Sequence, residues 1–405
     1  MFRSYEVILL LEKSRAYGRA LFQGVMQYAR IHGSWRFHTE PEFYHTHKPQ
    51  TVEWIRKLSA NGVIAHVADL GLIKHIAHLG VPMVISSMKR AKVAPHVVVT
   101  DNDAIGRMAA DYFLGRGFRC FAYCGFEEMY WSKQRGKSFC RKVTEAGGKM
   151  HVYRPPMRRK KPWTEENEWS PLVHWLRSLP RPTALLACND DRGRQVLAAC
   201  ETPELKVPND IAILGVDNDE FICETTYPKL SSITLNAEAA GYNAASLLGQ
   251  LMMDQANCQP QNQIVVSPLS IVERASSSIL AMEDREVAAA LRFIREHPRE
   301  LIQVDDVADR VGLSRRALQQ RFHHILGHSV HDEVKRTRVD QMAYMLISTN
   351  LSIREIARFF QYDEVRNISR YFRQQTGLTP SQYRKKYGIR CPNVPGSEHT
   401  PRTGV

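Results

Sequence analysis

The sequence of 405 residues predicts two fold classes in one chain. The first is α/β, built as two doubly wound parallel-sheet lobes. The second is all-α and holds two helix-turn-helix units. Three observations carry this. Short apolar runs alternate with amphipathic stretches through residues 1–275, the rhythm of a parallel sheet covered on both faces by helices. That rhythm stops at ERASSSILAMEDR (273–285), after which no strand pattern returns. Beyond it, one helical sentence is written twice.

The elements follow in order. EVILLL (6–11) is apolar without interruption and reads as a buried strand. YGRALFQGVMQYARIHG (17–33) has helical periodicity and closes on Gly33. WRFHTE (35–40) is the next strand, TVEWIRKLSANG (51–62) a helix and VIAHV (63–67) a strand. LIKHIAHLG and VPMVISS repeat the unit, as do VVVTDN, RMAADYFLGRG, CFAYCGF and SKQRGKSFCRKVTEAG. TALLACND (183–190), the helix after Asp191 and IAILGVDND (211–219) complete it. So many units exceed one small sheet, so two lobes are expected. Residues 276–284, with small polar residues leading, are read as linker, 285–388 as the helical domain and 389–405 as a disordered tail.

The doubled sentence is VGLSRRALQQRFHHILGHS (311–329) and FQYDEVRNISRYFRQQTGLTP (360–380). Val304, Val307, Ala308 and Val311 match Ile353, Ile356, Ala357 and Phe360 at an offset of 49. Leu318, Phe322 and Gly327 match Ile368, Phe372 and Gly377 at an offset of 50. Each copy is a short helix, a tight turn and a second helix, with Ser314 and Asp363 as the expected N-caps. A second helix placed this way can lie in the major groove of DNA. With Leu318, Phe322 and Ile325 facing a core, its free face is Arg315, Arg316, Gln319, Gln320 and His323. In the second copy Val365, Ile368 and Phe372 face inward, leaving Arg366, Asn367, Arg370, Arg373 and Gln374. Arginine and glutamine match guanine and adenine edges bidentately. One exposed arginine is more often a solvated charge; two matched faces in one basic domain favour double-stranded DNA.

The charge supports that partner. The chain carries +13, and residues 285–388 hold 19 Lys/Arg against 12 Asp/Glu. The eight cysteines show neither Cys-x-x-Cys nor zinc spacing, and the histidines show no metal pattern, so no metal or cofactor is expected. MFRSYEVILLLEKSR has too short an apolar run for a signal peptide, and no stretch is long enough to span a membrane. A cytoplasmic protein is the expectation.

Residues 285–388, ending in TGLTPSQYRKKYG, resemble the DNA-binding domain of AraC-type transcription regulators, in which a long helix, here 330–346, joins the two units. The sequence departs from that family at Gln361, where glycine is usual in the turn, and at Asn367. A second unit that is bent differently, or that grips DNA less tightly, is therefore expected. Residues 4–275 resemble the periplasmic-binding-protein-like effector domain of lactose/galactose-repressor-type regulators. The stretches that carry this are VVVTDNDAIGRMAADYFLGRGFRCFAYCGF, PTALLACNDDRGRQVL and VPNDIAILGVDNDEF. Such a sensor ahead of an AraC-type reader, with WSKQR at 131–135, resembles xylose operon regulators of the XylR type.

The resemblance implies a sugar effector, an operator, a homodimer and contact with RNA polymerase. It puts Arg135, Asn189, Asp190 and Asp217 at positions that contact the effector. The residues agree in kind. Open parallel sheets bind ligands beyond the carboxyl ends of their strands. Glu12, Ser14 and Arg15, Asn189 and Asp190, and Asp217 and Asn218 all follow strands. Carboxylate, amide and guanidinium groups satisfy pairs of sugar hydroxyls. Tyr17, Trp131 and Phe221 offer faces for stacking. Against this, Asp190 can serve only as a helix cap, Arg135 can pair with a carboxylate, and Trp131 can be core. The acidic stretch at 101–103 reads as a helix cap rather than a site. Other effectors, hexose or purine, and a repressor rather than an activator stay open. An enzyme is not expected, because no nucleophile, base and orienting group fall together and no Pro-Cys-His-Arg motif occurs.

Overall fold

The computed structural model describes residues 4–33, 35–39, 51–67, 70–87, 94–155, 165–202, 204–253, 263–279, 284–349 and 351–387. Residues 280–283 of the linker, Cys258, Cys391 and the expected tail lie outside these residues.

The first lobe begins β1(Tyr5–Leu10), α1(Ala16–His32), β2(Trp35–Thr39), α2(Thr51–Lys57), β3(Gly62–Val67), α3(Leu70–Ala77), β4(Met83–Ser87) and β5(Val97–Thr100). The chain then crosses over into α4(Asn102–Leu114), β6(Cys120–Cys124), α5(Tyr130–Glu145), β7(Lys149–Val152), α6(Glu165–Ser178), β8(Thr183–Ala187), α7(Asp190–Glu201), β9(Ile211–Val216), α8(Glu220–Cys223) and β10(Ser231–Leu235). It returns through α9(Ala237–Met253) and β11(Gln263–Val266), then crosses a third time into β12(Pro268–Val272).

The sheets run β11-β5-β4-β3-β1-β2 and β12-β10-β9-β8-β6-β7. Every pairing is parallel except β10 with β12. This is the two-lobed α/β class predicted. The central strands β8 and β9 are buried at every residue, which is why TALLA and IAILGV carry no polar alternation. Cys124, Cys188, Cys200 and Cys223 are buried and unbridged.

The predicted linker begins inside the second lobe. Ser276 and Ser277 are fully buried. Ser276 Oγ donates to the Ile213 carbonyl at 2.7 Å and accepts from Ser231 N at 2.9 Å, so these serines finish the sheet. Small and polar composition signalled a loop, but here it fits small hydroxyls into a dry corner with partners for each.

The C-terminal domain is all helix: α10(Arg285–Glu296), α11(Val304–Val311), α12(Arg315–Leu326), α13(Val330–Ser348), α14(Ile353–Phe359), α15(Val365–Thr376) and α16(Pro380–Tyr387). Two separate cores hold it. Leu291, Val307, Leu318 and Phe322 centre the first; Met342, Ile356, Ile368 and Phe372 centre the second. The long helix α13 serves both, giving Val330 and Val334 to one core and Val339, Met342 and Leu346 to the other. Val365 is 38% exposed, so it rims the second core rather than filling it.

Ser314 caps α12 by accepting from Ala317 N at 3.2 Å. Asp363 does not cap α15; the extended residue before that helix is Glu364, whose side chain makes no cap bond. The second turn is not bent differently. Gln361 takes φ +60, close to the φ +70 of its counterpart Gly312. The turn geometry is kept, and a residue with a Cβ bears it at a cost of about 1–2 kcal/mol. Gln361→Gly is therefore expected to stabilise the domain by about 1 kcal/mol, once the greater freedom of unfolded glycine is set against the relieved strain. Thermal unfolding of the two proteins checks this; an unchanged or lower midpoint would refute it.

Candidate functional site

A cavity of about 530 Å³ opens between the lobes. It lies where strand ends of both sheets meet, and Arg135, Asn189, Asp217, Tyr17 and Trp131 all line it.

Arg135 anchors it. The side chain is 3% exposed, yet its position is fixed. Nε donates to Asn102 Oδ1 at 2.9 Å and Nη1 to the Cys188 carbonyl at 2.6 Å. Its guanidinium carbon sits 4.8 Å from the centre of the Trp131 ring. The remaining nitrogen, Nη2, faces Asp217 Oδ1 at 3.8 Å. That separation is too long for a hydrogen bond, and Asp217 Oδ1 is buried with no hydrogen-bond partner. A buried acceptor left open costs about 1–3 kcal/mol.

The backbone is strained at the same place. Asp217 and Asn218 take φ +102 and +50. Such conformations persist where the surroundings enforce them, often at ligand sites. Burial pushes the Asp217 carboxyl up to about 6, against the pull of Arg135 and with help from Asp191 and Asp219. The folded chain thus holds this proton more firmly than the unfolded one. The associated stability is present at low pH and is lost as pH rises through about 6.

The rest of the lining is polar, mixing the charged Glu12, Arg15, Asp101 and Asp103 with uncharged groups. His66 Nδ1 lies 2.9 Å from Ser86 Oγ, and burial lowers its pKa to about 4, keeping the ring neutral. Tyr17 tilts against His66 at 5.0 Å and accepts from Thr100 Oγ1 at 3.3 Å. Ion pairs join the lobes at the rim. Arg15 meets Asp191 at 2.6 Å and Arg19 meets Asp219 at 2.7 Å.

Three expected contacts are corrected. Asp190 does not line the cavity. It is 1% exposed, and its oxygens accept from Ser232 Oγ at 2.6 Å and Asp219 N at 2.7 Å. Its role is to hold the strained 217–219 turn. Nor is it the helix cap, which is Asn189, accepting from Arg192 N at 3.0 Å. Ser14 also lies off the cavity, its hydroxyl accepting from Arg15 Nη1. Phe221 is 74% exposed and stacks on Arg19 instead. Residues 101–103 need splitting: Asp101 does cap α4, but Asn102 is a cavity residue bonded to Arg135.

In the C-terminal domain, α12 exposes Arg315, Arg316, Gln319, Gln320 and His323, and α15 exposes Arg366, Asn367, Arg370, Arg373 and Gln374. Arg315 pairs with Asp305 at 2.8 Å and Arg366 with Glu364 at 3.2 Å. Arg316, Arg370 and Arg373 have no ion-pair partner among the described residues.

A family model described as a periplasmic binding protein-like domain matches residues 110–277, and one described as a helix-turn-helix domain matches residues 307–386. The xylose operon regulatory protein of Escherichia coli strain K12 is 30% identical over 390 residues, which cover 94% of this chain and 97% of that protein. The chain belongs to the family of xylose operon regulatory proteins. The Haemophilus influenzae member is 28% identical over 94% of this chain and 98% of its own length. A solved structure titled as the xylose-binding transcription activator xylR matches with a TM-score of 0.59 and 28% identity, over 96% of this chain and all of that one. The cellobiose complex of the transcriptional regulator CelR, 17% identical with a TM-score of 0.53, covers 68% of this chain and 84% of its own and shares the fold of the N-terminal part.

As a xylose operon regulatory protein by family, the chain is a DNA-binding transcription regulator whose helical domain is the reader. Sequence reasoning missed His66, Ser86, Thr100, Asn102 and Gln134 in the cavity. They sit at strand ends or on helices without a shared motif, and only the packing of the lobes brings them together. For His66, Ser86 and Thr100 the one available signal was a polar residue inside or closing an apolar run. Among the described residues no helix is long and apolar enough to cross a membrane.

Proposed function

We propose that the chain is a homodimeric transcription activator gated by a xylose-like pentose held between Arg135 and Asp217. The observation that carries this is the 3.8 Å gap between a fixed guanidinium nitrogen and a buried, unbonded carboxylate oxygen. Vicinal hydroxyls, each both donor and acceptor, fill such a gap; a purely apolar ligand leaves it open. Asn189 and Asn102 add amides, the Trp131 ring offers a face, and Tyr17, His66 and Ser86 offer uncharged polar atoms. A lining that mixes carboxylates and guanidinium groups with amides and hydroxyls suits a polyol, whose hydroxyls both donate and accept. Occupancy favours the closed lobes, and DNA affinity responds only as far as the two states differ in sugar affinity. A dimer then presents four helix-turn-helix units to an operator and meets RNA polymerase there.

Thermal unfolding against pentoses, hexoses and purines tests the reading, because a ligand of the folded state raises the midpoint by mass action. A rise with D-xylose is expected; a rise with purines alone, or with nothing, refutes it. The pH profile is a second check. A sugar hydroxyl donating to Asp217 favours the ionised carboxylate, so binding lowers its pKa. Affinity is therefore expected to climb as pH rises through about 6 and to level above it. A profile flat between pH 5 and 7 would separate Asp217 from the bound sugar.

A further inference from the structure

We propose that Arg119 and Arg295 are the positioning residues that tie the sugar cavity to the first DNA-reading helix, by capping helix ends across the sensor–reader junction. This rests on the sugar reading above. The path begins in the cavity. Asn102, bonded to Arg135, opens α4, whose 13 residues span about 20 Å. At the far end the carbonyl of Gly115 accepts from Arg295 Nη2, on α10 of the reader, at 3.2 Å. Four residues on, Arg119 Nη2 donates to the carbonyl of Ile325 at 3.0 Å. Ile325 lies in the last turn of the recognition helix α12, where carbonyls lack intrahelical partners and cations are favoured. Each domain thus lends an arginine to the end of a helix in the other.

Both anchor points are stiff. Arg116 is 4% exposed, bonds to Glu273 and stacks 3.4 Å from the centre of the Tyr112 ring. Tyr112 Oη in turn lies 2.7 Å from Ser277 Oγ. On the reader side Glu333 is 1% exposed and receives Arg295 at 3.3 Å, Arg336 at 2.6 Å and His328 at 3.0 Å. A Cβ at Gly115 would come within 3.0 Å of Arg336 Nη2, so the arginine that pairs with Glu333 also packs on the end of α4. A shift of α4 on sugar binding is therefore delivered to α12. Neither arginine lines the cavity or belongs to the DNA-facing set.

The test uses full-length wild type, R119A, R119K and R295A. DNA affinity is read by fluorescence anisotropy, with and without D-xylose, on a duplex selected by the wild-type chain from a random pool. Unfolding midpoints are read with and without D-xylose on the same proteins. Allosteric couplings usually amount to about 5–150-fold, and a ratio of that order is expected for wild type. R119A and R295A are expected to bring the ratio within about twofold of unity while the D-xylose midpoint shift stays. R119K keeps a cation and donors for the helix end, so it should retain most of the ratio. Arg119 is exposed, so its loss leaves the fold intact even if R295A, which removes one of three partners of buried Glu333, destabilises the reader. A full ratio in R119A overturns the proposal, since a junction that only glues domains lowers the midpoint and leaves the coupling alone. A wild-type midpoint that D-xylose does not raise overturns the xylose reading, and the relay with it, at that earlier step.

Discussion

Asp217→Asn is expected to abolish the thermal response to D-xylose while operator binding by the sugar-free chain persists. The substitution keeps the shape of the side chain and removes the charge. What is lost is the charged acceptor that a sugar hydroxyl finds opposite Arg135. A hydrogen bond to a charged group contributes about 1.5–3 kcal/mol, a factor of about 10–150 in affinity for one hydroxyl. An amide nitrogen in its place also turns a donor toward a guanidinium, which has only donors to offer. The fold should not suffer. Burial already works against the charged form of Asp217, so the sugar-free midpoint at neutral pH is expected to stay or rise. Unfolding and anisotropy on the same preparation check both halves. A normal sugar response in this variant would remove Asp217 from the site.

That Asp217 could be named from the sequence, while His66 and Asn102 could not, has a physical reason. Asp217 follows an unbroken apolar run, IAILGV, and strand ends of open parallel sheets are where ligands collect. Asn102 follows a strand too, but it opens a helix, and capping is a sufficient local explanation for a short polar residue there. Its bond to Arg135 spans 33 positions and exists only once the lobes are folded. Asp190 shows the opposite failure. Local pattern made it a ligand group or a cap, whereas tertiary packing buried it and used both oxygens to hold the next loop. Residue type alone predicts a changed turn at Gln361, yet the surrounding helices impose the left-handed conformation regardless. The fold class was legible because periodicity is a local signal. Which polar groups converge is not local, and neither is the reciprocal capping through Arg119 and Arg295.

Arg316→Ala and Arg370→Ala are each expected to weaken operator binding by about 5–150-fold, the worth of one good base contact of about 1–3 kcal/mol. The structure leaves these two, and Arg373 one turn beyond Arg370 on α15, without an ion-pair partner among the described residues. Arg315 and Arg366 spend their charge on Asp305 and Glu364, whereas Arg316 and Arg370 stand exposed and unpaired by ions among the described residues. They sit on different recognition helices over separate cores, so the double variant should show the product of the two losses. Salt and sequence then separate their roles. A phosphate contact releases counterions, so its loss lowers the slope of log affinity against log salt by about 0.9 and weakens all duplexes alike. A base contact leaves that slope and relaxes preference at one position. Neither arginine is near the cavity, so the D-xylose midpoint shift should be unchanged in both variants. Loss of DNA binding and sugar response together would mean a damaged fold. Unaltered DNA binding in the double variant would mean that these faces do not carry the reading, and would move it to α12's glutamines or to Arg373.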